Sequence, residues 1–573
     1  MEEFYFSQKN RMIKEKKEIL VLEKYENDFS FKENKSNLNI SFNRIAFIFF
    51  ILLLVCTIYS IKIIYLGIQK PSILKSRNLE IIENFRADIL DRNNNFIAKT
   101  VNTTIVGINP NLIINDDKLL LNLKIIFPNK DFVDIKKKIK KKKYFRLEKK
   151  ISSNEKEQLK LLGDKAIVFE DQISRIYPNE NLYSHILGQI DDSNNGISGI
   201  EKKFDLNLKS EKNPIKLTVD TEIQFLIRQE LFRFNKIFRS IGSGAILMDV
   251  NNGEILSLVS LPDFNLNERV SITDKNYINR ITKGVYELGS VFKLFTVAAA
   301  LNEKIVEPET EFLNLEKEIE CDGRPIREYD NEIPKNLTVE QILIRSGNIG
   351  SVRIGQMLGA EKLKSFYSKI GILNRIDFDI DETGTPIPFV WGKCKLATVS
   401  FGHGITTTPL QLAKAYSIIS NGGFDIQPTL IKKDSKQNLK KNQILSENIS
   451  IKINKILRKI VSTSDGTAGL ADVKGYEVAG KTGTAQKVVN GKYSRLKINT
   501  FASVFPSSDP RFALIVLIDE PKTSEDYIYN YRNKSGSFKG TPFNTAGWTA
   551  VEIVANIIEK IGPILATKYM DVE

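Results

Sequence analysis

The most constraining feature of this sequence is an uncharged apolar run near its beginning, IAFIFFILLLVCTIYSI, which covers Ile45 to Ile61. After Lys62 the run continues to Ile68, and a helix of that length crosses a bilayer if the Lys62 amine extends to the interface. A cleaved signal peptide fits less well, because 44 residues precede the run and no A-x-A-like site follows it. The sequence therefore predicts an uncleaved single anchor over residues 44–68.

The positive charge of the chain does not indicate nucleic-acid binding. The formal net charge is +14, and much of the excess lies in one run, IKKKIKKKKYFRLEKK, from Ile135 to Lys150. Since no aromatic-rich nucleic-acid motif accompanies that run, we interpret it as the solvated face of a helix. Residues 1–43 mix lysines with acids and contain few apolar clusters, which predicts a largely disordered tail before the anchor.

Histidine and cysteine are too rare for several common kinds of active site. The chain contains two histidines, His185 and His403, which leaves little room for a Ser-His-Asp triad or a histidine-rich metal site. Of its three cysteines, Cys56 lies within the predicted anchor. Cys321 and Cys394 are available to pair in an exported domain, but their spacing does not decide whether they do.

The region after the anchor changes character near residue 216. Short strand-like runs and polar loops alternate before this point, and Leu217–Leu231 then indicates a short strand followed by an amphipathic helix. Gly242–Asn265 is typical of a β-hairpin with its turn at Asn251–Gly253. Helical patterns follow, strands return at NTFASVFP and RFALIVLIDEP, and AVEIVANIIEKI predicts a final helix. Strands at both ends with helices between them predict an α+β architecture with one antiparallel sheet and a helical layer.

One helical segment carries a serine and a lysine in otherwise apolar surroundings. In GVYELGSVFKLFTVAAAL, Ser290 and Lys293 are three positions apart and therefore share a helix face. The apolar neighbours predict burial on most sides, which lowers the pKa of a lysine because it disfavours the charged form. A neutral Lys293 amine near pH 7 would accept the proton of Ser290. A capping serine followed by a lysine that extends to the surface gives the same short pattern.

Two further motifs follow and favour the catalytic interpretation. The SGN sequence at Ser346–Asn348 holds a hydroxyl and an amide at i and i+2 in an apolar, helix-flanked turn. The KTGT sequence at Lys481–Thr484 offers a cation, two hydroxyls and a glycine along a strand-like segment that a substrate backbone can approach closely. Each motif alone is more often a turn or an edge strand than a site. The order SxxK, SxN, KTG is the signature of penicillin-binding proteins and class A β-lactamases.

With these motifs, the chain resembles the class B penicillin-binding proteins, the anchored transpeptidases that cross-link peptidoglycan. The resemblance covers nearly everything after Ile45 and includes the noncatalytic pedestal of that family. FRADILDRNNNFIA is similar to the pedestal element R-G-x-I-x-D-R-N-G-x-x-L-A, with Ala87 and Asn94 where glycines are usual. SRIYPNENLYSHILGQI and GISGIEKKFDLNL match the next two elements, and FGHGITTTPLQLAKAYSIISNGG matches a further family block. The resemblance implies structural roles for Arg175, His185, Gly188, Gly199, Glu201 and His403.

The resemblance also implies a role for each motif residue. Ser290 would attack the carbonyl of the penultimate D-Ala of a stem peptide and release the terminal D-Ala, while Lys293 accepts its proton. Lys481 would keep Lys293 neutral by like-charge repulsion and bind the terminal carboxylate of the donor. The other expected contributions are a proton relay at Ser346, a substrate-amide contact at Asn348, carboxylate bonds from Thr482 and Thr484, close substrate approach at Gly483, and an oxyanion hole from the Ser290 and Thr484 amides.

The substrate implied by the resemblance sets the orientation of the chain. Because peptidoglycan lies outside the inner membrane of a bacterial cell, we expect a cytoplasmic tail (1–43), an inner-membrane anchor (44–68), and a periplasmic pedestal (69–215) and transpeptidase domain (216–573). A β-lactam mimics the D-Ala-D-Ala end of the stem peptide and is the expected inhibitor. The resemblance implies no metal or organic cofactor. A membrane-embedded SEDS-family glycan polymerase and other divisome membrane proteins are the expected partners.

The first motif, the tail length and the closing TAGWTAVEIV are most similar to the division-specific, septal members of the family, although Leu288 replaces a common proline. An elongation-specific transpeptidase and a noncatalytic β-lactam-binding sensor or scaffold are the alternatives. A class A bifunctional synthase would need a glycosyltransferase domain, for which Gln69–Lys216 is short. A class A β-lactamase would need a glutamate that activates the deacylating water, and Glu382 is the candidate, although its E-x-x-x-N context is missing.

Overall fold

The computed structural model describes residues 35–68, 86–433 and 442–570, which belong to two compact units divided between Glu83 and Asn84. The first unit contains helix α1 (Lys35–Ile68), and its segment Arg44–Tyr65 is long and apolar enough to cross a membrane, with a mean hydropathy of 2.6. The predicted disordered tail lies outside the described residues as far as residue 34. Its last residues are part of α1.

The second unit begins with a small mixed domain at the position of the predicted pedestal. Its strands are β1 (Ile89–Leu90), β2 (Phe96–Ile108), β3 (Phe145–Ile151), β4 (Ile167–Ile176) and β5 (Ile215–Lys216). Its helices are α2 (Asp116–Ile126), α3 (Phe132–Lys140), α4 (Ser153–Leu161), α5 (Ser184–Leu187), α6 (Gly199–Lys203) and α7 (Asp205–Ser210). The long strand β2 organises the sheet, because it pairs antiparallel with β1, β3 and β4.

A buried ion network joins the sequence elements of this domain. The Glu201 carboxylate accepts hydrogen bonds from Arg86 and from Arg175 Nε at 2.8 Å, and all three side chains are almost fully buried. Arg86 also pairs with Asp205 at 2.6 Å. Because removing one partner of a buried ion pair leaves an uncompensated charge, these residues act together to hold the pedestal in one arrangement.

The lysine-rich run is only partly helical. Helix α3 buries Ile135 and Ile139 and exposes the lysines between them, as a solvated helical face requires. The helix ends at Lys140, and from Phe145 onward the chain forms β3. The interpretation of the whole run as one helix is therefore wrong after Lys140, where pairing with β2 overrides the lysine-rich local sequence.

A larger α+β domain follows, as the sequence predicts. Its strands are β6 (Gly242–Asp249), β7 (Ile255–Leu261), β8 (Glu311–Phe312), β9 (Glu318–Cys321), β10 (Arg324–Arg327), β11 (Leu337–Thr338), β12 (Ala479–Val489), β13 (Lys492–Phe505), β14 (Phe512–Asp519), β15 (Ile528–Asn530) and β16 (Ser537–Lys539). Five of them form an antiparallel sheet in the order β12-β13-β14-β6-β7. The predicted hairpin is β6–β7, and Gly253 in its turn has a φ of 77°.

Helices cover this sheet. They are α8 (Thr221–Ile237), α9 (Lys293–Asn302), α10 (Val339–Ile344), α11 (Asn348–Leu358), α12 (Ala360–Lys369), α13 (Lys393–Ser400), α14 (Pro409–Ser420), α15 (Glu447–Ser462) and α16 (Ala550–Tyr569). Every residue of β6, β7 and β14 is buried, so both faces of these three strands are covered. Helices α8 and α16 pack together and against the sheet, and α14 packs against β6, β13 and β14.

A disulfide joins strand β9 to a helix of the helical layer. Cys321, the last residue of β9, is bonded to Cys394 in α13, with their Cα atoms 5.5 Å apart. The two residues are 73 positions apart in the chain, a separation from which the sequence alone does not predict a bond. The third cysteine, Cys56, is exposed on α1.

Candidate active site

Ser290 lies in a single tight turn at the start of a buried helix. Residues Gly289–Phe292 form a 3₁₀ turn, and α9 continues directly from it. Gly289 has a φ of 63°, and a side chain there would approach the Thr484 carbonyl oxygen to 2.8 Å. A side chain at Gly483 would approach the Leu288 carbonyl oxygen to 2.2 Å. The two glycines therefore let the KTGT strand β12 pack directly against the turn that carries Ser290.

Lys293 is fully buried and binds the SxN motif. Its Nζ atom donates hydrogen bonds to the Ser346 carbonyl oxygen, to Ser346 Oγ at 3.2 Å and to Asn348 Oδ1 at 2.7 Å. Ser290 Oγ forms no hydrogen bond with any of the described residues, so the predicted direct bond between Ser290 and Lys293 is not formed in this state. Catalytic hydrogen bonds commonly tighten only when substrate binds.

Ser346 links the two lysines of the site. Its Oγ atom accepts a hydrogen bond from Lys481 Nζ at 2.8 Å as well as the bond from Lys293. Ser346 has a φ of 58°, a left-handed conformation that is uncommon for serine. Such strain is found most often where function fixes the backbone. The turn directs its hydroxyl between two buried amines.

Burial and mutual repulsion alter both lysines. Burial lowers the pKa of Lys293 to about 7, although the Glu328 carboxylate acts in the opposite direction. The pKa of Lys481 is also lowered, first by burial and then by the positive charge of Lys293. The two amines share the Ser346 hydroxyl and repel each other, so a positive charge on one disfavours a positive charge on the other.

Five motif residues line one open cavity of about 1270 Å³, and Gly483 is not among them. Its walls include Ser290, Ser346, Asn348, Thr482 and Thr484, whereas the two buried lysines lie behind these residues. Thr482 Oγ1 is 2.7 Å from Thr467 Oγ1, and Thr484 Oγ1 accepts a hydrogen bond from the Ala546 amide at 2.9 Å. Strand β12 is at the edge of the sheet, where an extended substrate can add by main-chain hydrogen bonds.

Two residues at this site are not identified by the sequence analysis. His403, interpreted as structural, lines the cavity and stacks on the Tyr493 ring with a centroid separation of 4.5 Å. Glu328 binds the backbone of the SxN motif from a separate hairpin. His403 lies in the matched block FGHGITTTPLQLAKAYSIISNGG, whereas Glu328 has no local sequence signal because it reaches the site only through tertiary structure.

Glu382 is not placed for a β-lactamase reaction. Its carboxylate accepts a hydrogen bond from the Gly199 amide of α6 at 3.2 Å, and the residue does not line the cavity that contains Ser290. The glutamate that a class A β-lactamase needs for deacylation is therefore not supplied by this residue.

The fold and the three assembled motifs define a penicillin-recognising serine acyltransferase with a separate N-terminal pedestal. Residues 243–537 match the family described as penicillin binding protein transpeptidase domain, and residues 81–230 match the penicillin-binding protein dimerisation domain. The chain belongs to the class B penicillin-binding proteins, the group in which these two domains occur together.

The chain is similar to proteins named peptidoglycan D,D-transpeptidase and to a sporulation protein. The probable peptidoglycan D,D-transpeptidase FtsI of Caulobacter vibrioides is 30% identical over 432 residues, which cover 73% of this chain and 71% of that protein. Stage V sporulation protein D of Bacillus subtilis is 30% identical over 538 residues, covering 86% of this chain and 80% of that protein. Peptidoglycan D,D-transpeptidase FtsI of Escherichia coli K12 is 26% identical, covering 68% of this chain and 70% of that protein.

Solved structures share the fold. Penicillin binding protein 3 of Mycobacterium tuberculosis, complexed with aztreonam, superposes with a TM-score of 0.64 at 20% identity and covers 85% of this chain and 96% of that chain. A peptidoglycan synthetase from Bifidobacterium adolescentis superposes with a TM-score of 0.63 over the same shares. The fold of this chain is therefore shared with solved structures over 85% of its length.

Proposed function

We propose that this protein is a septal peptidoglycan D,D-transpeptidase that cross-links stem peptides through an acyl-enzyme on Ser290. The observation that carries the proposal is a buried chain of hydrogen bonds in which Lys293 and Lys481 both donate to Ser346 Oγ. This chain lies behind the cavity that Ser290 lines. Two amines that share one hydroxyl in a buried site supply a proton acceptor near neutral pH without histidine. The reaction also needs a place for an extended peptide, and the edge strand β12 supplies it.

In the acylation step, Ser290 Oγ attacks the carbonyl carbon of the penultimate D-Ala and transfers its proton to Lys293 Nζ. Backbone N–H groups of Ser290 and Thr484 stabilise the oxyanion of the tetrahedral intermediate, a contribution of about 3 kcal/mol for one donor. The bond to the nitrogen of the terminal D-Ala then breaks, and that nitrogen receives the proton from Lys293 through Ser346, which contacts both lysines. Free D-Ala leaves the cavity.

In the second step, the amine of a neighbouring stem peptide attacks the acyl carbonyl. Its proton passes to the neutral Lys293 amine, the ester bond to Ser290 breaks, and Lys293 returns this proton to Ser290 Oγ, which restores the free site. During both steps Asn348 holds the substrate amide, while Lys481, Thr482 and Thr484 bind the terminal carboxylate of the donor. A bound carboxylate also favours the charged form of Lys481, which keeps Lys293 neutral when the donor is present.

The pKa of Lys293 predicts the pH dependence of acylation. Because the amine must be neutral to accept a proton and its pKa is about 7, the acylation rate should rise with pH and level off above this value. Below pH 6 the rate should fall about tenfold for each pH unit, as the neutral fraction falls. Stopped-flow acylation by a fluorescent penicillin between pH 5 and pH 9 measures this profile, and a rate independent of pH would contradict it.

The septal role is supported by the relatives named FtsI and by the similarity of the first motif to division-specific members. Depletion of the protein in its host distinguishes it from the elongation-specific alternative. A septal enzyme leaves cells that grow into filaments without septa, and a fluorescent fusion gathers at the division site. Rounded, swollen cells and a fusion distributed along the side wall would instead assign the protein to elongation.

The same proposal assigns residues 44–68 of α1 to the inner membrane, residues 1–43 to the cytoplasm and the two folded domains to the periplasm. It assigns a SEDS-family glycan polymerase and other divisome membrane proteins as partners, which contact the anchor and the pedestal. Replacing both regions with those of an elongation-specific relative should abolish co-purification with the polymerase. Unchanged co-purification would contradict the assigned contact surface.

A further inference from the structure

The helix that carries the SxN motif is capped by a carboxylate from elsewhere in the chain. Helix α11 begins at Asn348, and Gly347 before it has no side chain to satisfy the first amide groups. Glu328 takes this role: its Oε2 accepts a hydrogen bond from the Asn348 amide at 2.6 Å, and its Oε1 accepts one from the Ile349 amide at 2.9 Å. The negative charge also interacts favourably with the positive end of the helix dipole at this N-terminus.

The segment that presents Glu328 also fixes the side chain of Asn348. Asn348 Nδ2 donates a hydrogen bond to the Arg327 carbonyl oxygen at 2.7 Å, so its Oδ1 atom faces Lys293 Nζ. Both the backbone and the side chain of Asn348 are therefore held by two consecutive residues, Arg327 and Glu328. The orientation of the amide, with its oxygen toward Lys293, follows from these contacts.

The position of Glu328 depends on a hairpin that is itself cross-linked. Glu328 directly follows β10, which pairs with β9, and β9 ends at the cystine between Cys321 and Cys394. The disulfide joins this hairpin to α13, and His403, a cavity-lining residue, lies just beyond that helix. The turn end of the hairpin is therefore joined to α13 by the disulfide, and its other end is hydrogen-bonded to the SxN motif through Glu328.

Two charged side chains act on Lys293, and they belong to different elements of the domain. Lys481 on β12 reaches the same serine hydroxyl and adds a positive charge, and Glu328 adds the one negative charge that acts on the Lys293 amine among the described residues. The groups that contact Lys293 directly, Ser346 and Asn348, are neutral. Removing the Glu328 charge should therefore make protonation of Lys293 less favourable.

We propose that Glu328 is a positioning residue for the acyl-transfer reaction, which orients Asn348 through the start of α11 and stabilises positive charge on Lys293 during proton transfer. The proposal rests on the proposed transpeptidase function and adds a residue to it. Glu328 does not touch substrate, since its two carboxylate oxygens are occupied by the Asn348 and Ile349 amides. It acts through Asn348 and Lys293.

The test compares three full-length variants in their acylation by a fluorescent penicillin from pH 5 to pH 9. Glu328→Gln keeps the size of the side chain but loses its charge and one acceptor, so we expect an acylation rate about tenfold lower at pH 8. The midpoint of its pH profile should move to lower pH, because a carboxylate that raised the pKa of Lys293 has been removed. Glu328→Asp keeps the charge and should retain the wild-type midpoint with a smaller loss of rate.

Glu320→Gln is the matched control, because Glu320 is exposed on the same hairpin and should leave the rate and the midpoint unchanged. If Glu328→Gln lost rate equally at every pH without a shift of the midpoint, Glu328 would act only as a helix cap, and the proposal would be overturned. Wild-type rate and midpoint in that variant would overturn it as well. If Glu328→Gln does not fold, Glu328→Asp carries the test: a reduced rate with the wild-type midpoint is the expected result, and a wild-type rate or a shifted midpoint would overturn the proposal. Failure of the wild-type protein to acylate at all would instead count against the proposed function.

Discussion

Replacing Ser290 with alanine should abolish covalent labelling by penicillin and lower the transpeptidation rate by about 10⁶-fold, the loss typical for removal of a serine nucleophile. The structure gives the reason: Ser290 is half-buried at the start of α9, and its hydroxyl faces the cavity without a hydrogen-bond partner among the described residues. Labelling on a denaturing gel and release of D-Ala from a stem peptide measure the two effects.

Ser464→Ala provides the control, because Ser464 lines the same cavity but is exposed. It should label at the wild-type rate. Complementation distinguishes the proposed enzyme from the noncatalytic alternative. If the protein is a β-lactam sensor or scaffold, the Ser290→Ala variant should still support growth. If it is the proposed enzyme, the variant should not. Growth of cells that contain only the alanine variant would contradict the catalytic account even if labelling were lost.

Replacing Lys293 with methionine should lower the acylation rate by about 10²- to 10⁴-fold, the usual contribution of a general base. Methionine fills the buried space of the lysine stem and removes the amine, so the main loss is chemical. The dependence on pH with a midpoint near 7 should disappear as well, because the group that titrates there is gone. Stopped-flow acylation across the same pH range measures both.

Lys364→Met is the matched control, since Lys364 lies on the exposed face of α12. It should retain the rate and the midpoint of the wild type. If Lys293→Met kept the midpoint near 7, the titrating group would be a different one, and Lys481 would be the first candidate because it shares the Ser346 hydroxyl.

The features that sequence predicts well are those set by local periodicity. The β6–β7 hairpin follows from two apolar runs around Asn251–Gly253, and the last helix follows from its apolar spacing. The SxxK motif is local for the same reason, because residues three apart share a helix face. The α+β fold with its antiparallel sheet is confirmed on this basis.

The contacts within the site depend on tertiary structure. Lys293 was expected to contact Ser290, but its partners are Ser346 and Asn348, more than 50 positions away in the chain. The pKa of Lys293 is raised by a third group, Glu328, whose position in the sequence does not indicate that it lies near this lysine. Likewise, the lysine run after Lys140 forms a strand because β2 is available as a partner.

The most direct test of the central claim is a time course of penicillin labelling followed by peptide mapping. The wild-type protein is acylated at pH 8, excess penicillin is removed, and the adduct is digested and located by mass spectrometry over several hours. The proposed mechanism predicts one adduct, on the peptide that contains Ser290. This adduct should persist over hours, because Glu382 is hydrogen-bonded to the Gly199 amide and does not activate a deacylating water. An adduct on another residue, or one that decays within minutes, would contradict it.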